Sequence, residues 1–322
     1  MDQSIDEFSL ISRYFKELTS QQDVVVGIGD DAAIVDAEQI QKLAVATDTL
    51  VASVHFPNNA EPEQIATRAL CVNLSDMAAM GAVPKWFTLA LTLPKAMASQ
   101  GWLKRFSQGL AKVAAQYDIA LIGGDTTAGP LSISITLLGD LPSRNGLCRD
   151  AAQQEDIIYV SGTLGDGAAA LYELTQTGAI QNQRLTHRFY SPKPQVELGL
   201  GLQKYANACI DISDGLVADL RHICESSVLG ASINSQGLPI HSDIKQQYPK
   251  QYRQWALTGG DDYQLCFTVA KNRQTAFEKW AVSSNRAVTA IGKMIPFDHN
   301  QDFITIDSEN LPIASGGYTH FK

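Results

Sequence analysis

Apolar and polar positions alternate with two different periods along this chain, and the periods place strands and helices before any chemistry is considered. Apolar runs of strand length occupy 24–28, 43–47, 86–93, 119–122 and 132–138 in the first half. Between them, Ile65, Ala69, Val72 and Met80 recur at helical spacing after Pro62 and stop at Gly81, which predicts one helix; a second runs from about Gln100 to Tyr117. The second half repeats the alternation. Strand patterns cover 157–161, the approach to Asp211, 263–270, 288–295 and 303–306. Helical patterns begin at the glycine-rich stretch 162–167 and run through Leu174, then cover 195–205 and 216–226. A polar, turn-rich stretch from Ser143 to Glu155 sets a boundary near residue 150, giving domains 1–150 and 151–322. Layers of this kind in both halves predict an α/β (α+β) architecture.

Composition narrows the partners. With 322 residues, 45% hydrophobic and 18% charged, the chain is a folded globular protein with enough material for a large core. A formal net charge of -9 argues against nucleic acid and membrane surfaces and for small-molecule partners. The five cysteines stand singly, with neither a disulfide framework nor a thiolate metal pattern, so reduced thiols are expected. The N-terminus lacks the basic and apolar regions of a signal peptide, and no stretch approaches the ~18 apolar residues of a membrane span. The expected compartment is the cytoplasm.

The chemistry is concentrated in short aspartate motifs set among glycines and apolar residues. They are Gly29-Asp30-Asp31, Thr47-Asp48-Thr49, Asn73-Leu74-Ser75-Asp76, Gly123-Gly124-Asp125-Thr126-Thr127, Asp211-Ile212-Ser213-Asp214-Gly215 and Gly259-Gly260-Asp261-Asp262. Carboxylates at strand and helix ends, beside glycines that let a ligand approach the backbone, suit hard cations held against a polyphosphate. Gly-Asp-Asp is also good turn chemistry, and Asn73, Ser75 and Asp76 could equally cap a helix. Asp48 has no such bland reading, because an unpaired carboxylate inside an apolar strand is costly to bury. Asp125 reads as following its strand, at the carboxyl end where open α/β sheets bind ligands. Asp211 and Asp214 flank Ser213, and Gly215 opens a helix whose first amides would favour a phosphate. The chain lacks a P-loop, since its Gly292-Lys293 pair is followed by Met294, and it lacks a zinc pattern. Without a P-loop lysine, metal ions on carboxylates must neutralise most of the phosphate charge.

In this order the motifs resemble those of the thiamine-monophosphate kinase family, part of the superfamily shared with aminoimidazole ribonucleotide synthetase, selenophosphate synthetase and the hydrogenase maturation protein HypE. The resemblance spans nearly the whole chain, from Glu7-Phe-Ser-Leu-Ile-Ser-Arg-Tyr-Phe through Asn73-Leu-Ser-Asp-Met-Ala-Ala-Met-Gly-Ala to Gly317-Tyr318. It implies a two-domain PurM-like fold whose N-terminal sheet pairs across a homodimer. The N-terminal domain would bind ATP and Mg2+, and the C-terminal domain would make substrate and phosphate contacts. The implied reaction is transfer of the γ-phosphoryl group of ATP to thiamine monophosphate, assisted by several Mg2+ ions.

By resemblance, Asp31 or its neighbour Asp30, together with Ala46, Thr47, Asp48, Asp76, Asp125, Asp211 and Asp214, are metal ligands. Asp48, Asp76 and Asp125 are the catalytic set. Gly124, Asp125, Arg149 and Ser213 contact ATP, while His55, Asp261 and Tyr318 contact thiamine monophosphate. Two positions depart from the family pattern. Ala46 stands where relatives often carry Ser or Thr, leaving only its backbone carbonyl as a ligand, and Asp261 replaces a common Glu. The rival readings are another ATP-using enzyme of the superfamily and a module that only binds divalent cations or nucleotides.

Overall fold

The computed structural model describes residues 7–19, 22–29, 32–142, 146–299 and 302–307. Asp30, Asp31 and Tyr318, all singled out by sequence, lie outside the described residues. The chain divides into two compact units, Met1–Met77 with Ala82–Arg144, and Ala78–Gly81 with Asn145–Lys322.

The first unit opens with helix α1 (Glu7–Tyr14) and a hairpin of β1 (Val24–Val26) and β2 (Ile34–Val35). Strand β3 (Leu43–Val51), helix α2 (Pro62–Met80), β4 (Val83–Leu93), helix α3 (Gln100–Tyr117), β5 (Ala120–Ala128) and β6 (Ser132–Asp140) follow. Four strands form one sheet in the order β3-β6-β4-β5. Only β4 and β5 run parallel, joined through α3 as a crossover of this kind requires. The period-2 pattern of β6 buries Ile133, Ile135 and Leu137 on one face, and its even-numbered residues fall on the other. Against the buried face lies α2, apolar nearly all the way round, which is the signature of a core helix rather than an amphipathic surface one. Helices α2 and α3 approach closely at Gly109, where an added Cβ would sit 2.6 Å from the Glu63 carbonyl oxygen. The opposite face is partly covered. There Trp86, Ala120 and Ile122 pack with Val24, Ala33, Val35, Ile40 and Leu138, and Trp86 Nε1 donates to Asp23 at 3.3 Å. Leu43 and Val45 on β3 remain exposed.

Sequence periodicity finds the four strands of this sheet but makes each of them too short, β3 and β5 by the most. β3 continues to Val51, and β5 runs on through Gly123, Gly124 and Asp125 to Ala128, so Asp125 lies within a strand rather than beyond its end. Glycine explains the second extension. Gly124 has φ +153, and a side chain there would meet the Leu89 carbonyl oxygen at 1.9 Å. Only a bare backbone can keep pairing with β4 at that point, so Gly124 has a structural reason to be glycine.

The second unit contains β7 (Ile157–Ser161), α4 (Asp166–Thr177), α5 (Gln183–Tyr190), α6 (Val196–Leu202), β8 (Ala206–Asp211), α7 (Leu216–Ser227) and β9 (Leu229–Ile233). It continues with α8 (Ser242–Gln247), α9 (Tyr252–Thr258), β10 (Leu265–Val269), α10 (Gln274–Ser283), β11 (Val288–Pro296) and β12 (Ile304–Ile306). Its sheet runs β12-β9-β11-β7-β10-β8. Only the β12–β9 pair is parallel, so this unit is a mixed sheet dominated by antiparallel pairing. An aromatic cluster anchors it: Tyr159 stacks on Phe267 at 5.7 Å and meets Phe277 edge-on at 4.9 Å, while its hydroxyl donates to Glu278 at 2.8 Å. Helices α1, α5, α8, α9 and α10 and strands β2 and β9 go unpredicted, although α5 places Leu185 and Phe189 on one face at helical spacing. They are short, so each offers little length over which a period could be read.

Candidate active site

In the first unit, strand β3 and helix α2 are joined at the aspartate motifs by Asn73. Its side chain is fully buried; Oδ1 accepts a 3.0 Å bond from the Asp48 backbone N–H and Nδ2 donates to the Ala69 carbonyl at 2.8 Å. Asp76 stands one helical turn beyond Asn73 and so shares its side of α2. The Asn73 bond thereby brings two predicted metal ligands, Asp48 and Asp76, to one seam between strand and helix. Burial pushes the Asp48 carboxyl above its ordinary value. A cation is the natural relief for a carboxylate so placed.

The same bond sorts the neighbours of Asp48. An N–H that turns to a side chain is one the ladder with β6 does not use, so Asp48 belongs to a non-hydrogen-bonded pair with Ile135. By alternation so does Ala46 with Leu137. The Ala46 carbonyl therefore points away from β6, as a backbone ligand would need. Thr47 is different. Its hydroxyl meets that of Thr136 at 2.8 Å, on the opposite face of the sheet from Asp48, and its backbone groups turn toward β6. Sequence sets Thr47 and Asp48 side by side, but the pleat parts their side chains.

Asp125 is exposed and pairs with Ala90, in the same cross-strand row as Thr49 and Ser134, whereas Asp48 shares its row with Ile135 and Leu89. His55 closes a tight turn after β3: its Nδ1 accepts from the Val51 N–H at 2.9 Å, and its carbonyl accepts from Arg68 Nε at 3.1 Å. This bond fixes the tautomer, leaving Nε2 as the N–H of the neutral ring.

In the second unit, three loops converge: 162–167 before α4, 211–215 between β8 and α7, and 259–262 after α9. Asp261 N donates to the Ser213 carbonyl at 2.8 Å, and a Cβ on Gly260 would lie 2.4 Å from that carbonyl oxygen. Asp261 itself has φ +72. The neighbouring Asp262 is 1% exposed and spends both oxygens on the entry to α4, accepting from Gly165 N at 2.7 Å and Gly167 N at 3.0 Å. Arg188 donates to the Asp262 carbonyl at 3.2 Å and pairs with buried Asp166 at 3.2 Å, so the loop rests on an ionic base. Burial first and Asp166 second push the Asp262 carboxyl up to about 7. Arg149 sits beside β8, where its carbonyl accepts from Ser227 Oγ at 2.9 Å and the adjacent Cys148 bridges Ala208.

The turn that leads into α7 spends its own amides internally. The amides of Ser213, Asp214 and Gly215 are not offered to a phosphate, because all three donate at 3.0 Å to a single oxygen of Asp219. An internal carboxylate fills the nest. Asp219 is 3% exposed, and burial, followed by the charges of Asp211 and Asp214, pushes its carboxyl up to about 8.

Among the described residues, no three His, Cys, Asp or Glu side chains converge closely enough to hold a metal ion unaided. The donor set nevertheless suits Mg2+, which keeps much of its water and takes one or two carboxylates together with substrate phosphates. Asp48 with Asp76 in one unit, and buried Asp211 with partly buried Asp214 in the other, are pairs of hard oxygen donors. Asn73, Asp219, Asp262 and Arg188 support the site without having been assigned to it from sequence. An aspartate one turn into a helix that glycine opens was the legible signal for Asp219. None of the helices among the described residues is long and apolar enough to cross a membrane.

Two family profiles match: AIR synthase related protein, N-terminal domain, over residues 29–141, and AIR synthase related protein, C-terminal domain, over residues 153–302. The thiamine-monophosphate kinase of Haemophilus influenzae is 42% identical over 99% of both chains, and that of Escherichia coli K12 is 43% identical over 98% of both. Among solved structures, thiamine-monophosphate kinase from Stenotrophomonas maltophilia K279a superposes with a TM-score of 0.86 at 43% identity, covering 95% of this chain and 98% of its own. AaThiL complexed with AMPPCP and TMP gives a TM-score of 0.78 at 33% identity, covering 98% of this chain and 97% of its own.

Proposed function

Since the chain belongs to the thiamine-monophosphate kinases of the AIR synthase-related superfamily, it phosphorylates thiamine monophosphate with ATP, and we propose that it does so by direct in-line transfer. An oxygen of the thiamine phosphate attacks the γ-phosphorus of ATP, the bond from that phosphorus to the β–γ bridging oxygen breaks, and ADP leaves. The acceptor needs no general base, because a phosphate monoester with a second pKa near ~6 is largely dianionic at neutral pH. What must be overcome is the repulsion between two polyanions. Bound Mg2+ would supply the positive charge for this.

In the first unit Asp48, Asp76 and the Ala46 carbonyl, with Asp31 or Asp30, would hold Mg2+ on one side of the sheet, and Asp125, in the row of Ala90, Ser134 and Thr49, would offer its carboxylate on the other. In the second unit, Asp211 and Asp214 would hold Mg2+. Thr47 directs its hydroxyl to the face opposite Asp48, so it would not share a cation with Asp48. Arg149, Ser213 and the Gly124 backbone position ATP, and His55 Nε2–H, Asp261 and Tyr318 position thiamine monophosphate. The observation that carries this reading is the Asn73 bond to Asp48, which fixes two carboxylates at one seam where burial makes a cation favourable. The proposed homodimer would form along β3, an edge strand of the sheet that exposes Leu43 and Val45.

Phosphorus NMR of the purified protein with ATP, Mg2+ and thiamine monophosphate tests the reaction. ADP and a new thiamine diphosphate signal should grow together, and only when the thiamine compound is present. ADP with free phosphate alone would replace this reading with hydrolysis.

A further inference from the structure

We propose that Asp219 is a positioning residue that shapes the 211–215 loop for phosphoryl transfer, an inference that rests on the kinase reading above. A glutamate or aspartate in the first turn of a helix ordinarily returns one bond to the cap amide. Asp219 does more. One of its oxygens receives the N–H groups of Gly215, which caps α7, and also of Asp214 and Ser213, which precede the cap. Three successive amides converging on one buried oxygen fix the backbone of the whole segment that carries Ser213 and Asp214. Both of those residues stay partly exposed while Asp219 does not.

The segment is tied on its other edge to the substrate-contacting loop. Asp261 N donates to the Ser213 carbonyl and Tyr263 N to the Ile212 carbonyl, each at 2.8 Å, and Ile212 N donates to the Gln264 carbonyl at 2.7 Å. Loop 259–262 therefore inherits its register from a segment that Asp219 holds. If the acceptor is removed, three amides lose their partner, the Asp214 side chain loses its fixed origin, and Asp261 loses the backbone against which it is aligned. The contribution needs an acceptor oxygen in this position and is independent of the charge, so asparagine should supply it.

The test compares Asp219→Ala and Asp219→Asn with the parent enzyme, in two readouts. Steady-state kinetics across free Mg2+ should show Asp219→Ala needing on the order of 10- to 100-fold more Mg2+ for half-maximal rate, the usual penalty for losing a residue that orients metal ligands. Asp219→Asn should restore the parent Mg2+ dependence. Hydrogen exchange of the amides 213–215 should be slow in the parent and in Asp219→Asn and fast in Asp219→Ala, with or without substrates. A role confined to stability would lower the melting temperature of Asp219→Ala and leave its Mg2+ requirement unmoved, which would overturn the proposal. Equal impairment of both variants would also overturn it, by assigning the effect to charge. If Asp219→Ala does not fold, Asp219→Glu, which places the acceptor one methylene too far out, carries the same expectation. Should the parent enzyme make no thiamine diphosphate, the kinase reading fails, and the exchange data still decide whether Asp219 holds the loop.

Discussion

Replacing Asn73 with alanine tests the link between strand and helix on which the first half of the site depends. Asn73 is fully buried and makes two bonds, to the Asp48 N–H at 3.0 Å and to the Ala69 carbonyl at 2.8 Å. The Ala69 carbonyl keeps its helical partner, so losing the second bond costs only about 0.5 kcal/mol. The Asp48 N–H has turned off the ladder and would have no acceptor, a penalty of about 1–3 kcal/mol. The vacated amide volume adds about 1 kcal/mol, and the better helix propensity of alanine returns about 0.5 kcal/mol. The expected net destabilisation is therefore about 2–4 kcal/mol. Urea unfolding followed by circular dichroism measures it. Activity assayed well below the melting temperature should fall by about tenfold or more, since displacement of a catalytic group by even ~1 Å is severe. Asn73→Asp should fail differently, keeping the acceptor for Asp48 but adding a buried charge beside two other carboxylates. A loss below about 0.5 kcal/mol with full activity in Asn73→Ala would refute the claim that this side chain holds the seam together.

Asp48→Asn should abolish turnover and, without metal, raise the unfolding midpoint, because the buried charge is gone; a less stable variant in EDTA would contradict this. In the metal-free protein, Asp219 and Asp262 hold protons up to about 8 and about 7 that the unfolded chain has already released. Their contribution to stability is complete below the ordinary carboxylate range and lost as pH rises through 7 and 8, so the melting temperature should fall from about pH 5 to about pH 8.5. Asp219→Asn should flatten that slope, and an unchanged slope would show that Asp219 is ionised throughout. Val228 ends α7 in the left-handed region at φ +55 and is 71% exposed, so Val228→Gly should stabilise the protein by about 1 kcal/mol, read from its melting temperature. Light scattering should find a dimer that Leu43→Lys with Val45→Lys converts to monomer; a parent monomer would remove the proposed interface.

The residues that make up the candidate site drew notice in the sequence because their signals are local. Asp48 stood out as a charge in an apolar strand and Asp76 as a charge in an apolar helix. The illegible part was the identity of long-range partners. Asn73 belonged visibly to a polar cluster, yet nothing in its neighbourhood showed that it would accept a bond from a strand residue twenty-five positions earlier. Asp262 looked like half of a turn motif until the fold laid it against the amides of Gly165 and Gly167.

The sequence by itself determined the two-part α/β organisation, most of the strands, and the family, because hydrophobic period and ordered motifs depend only on neighbours along the chain. Tertiary structure alone decided which face each motif presents and which acceptor each donor finds. Thr47 and Asp48 were parted by the pleat of β3, and the amide nest at 213–215 went to Asp219 rather than to a phosphate. The physical reason is common to both. A sequence shows what a backbone can donate, but hydrogen bonds are claimed by whatever group the fold places within about 3 Å, and that is a property of three dimensions.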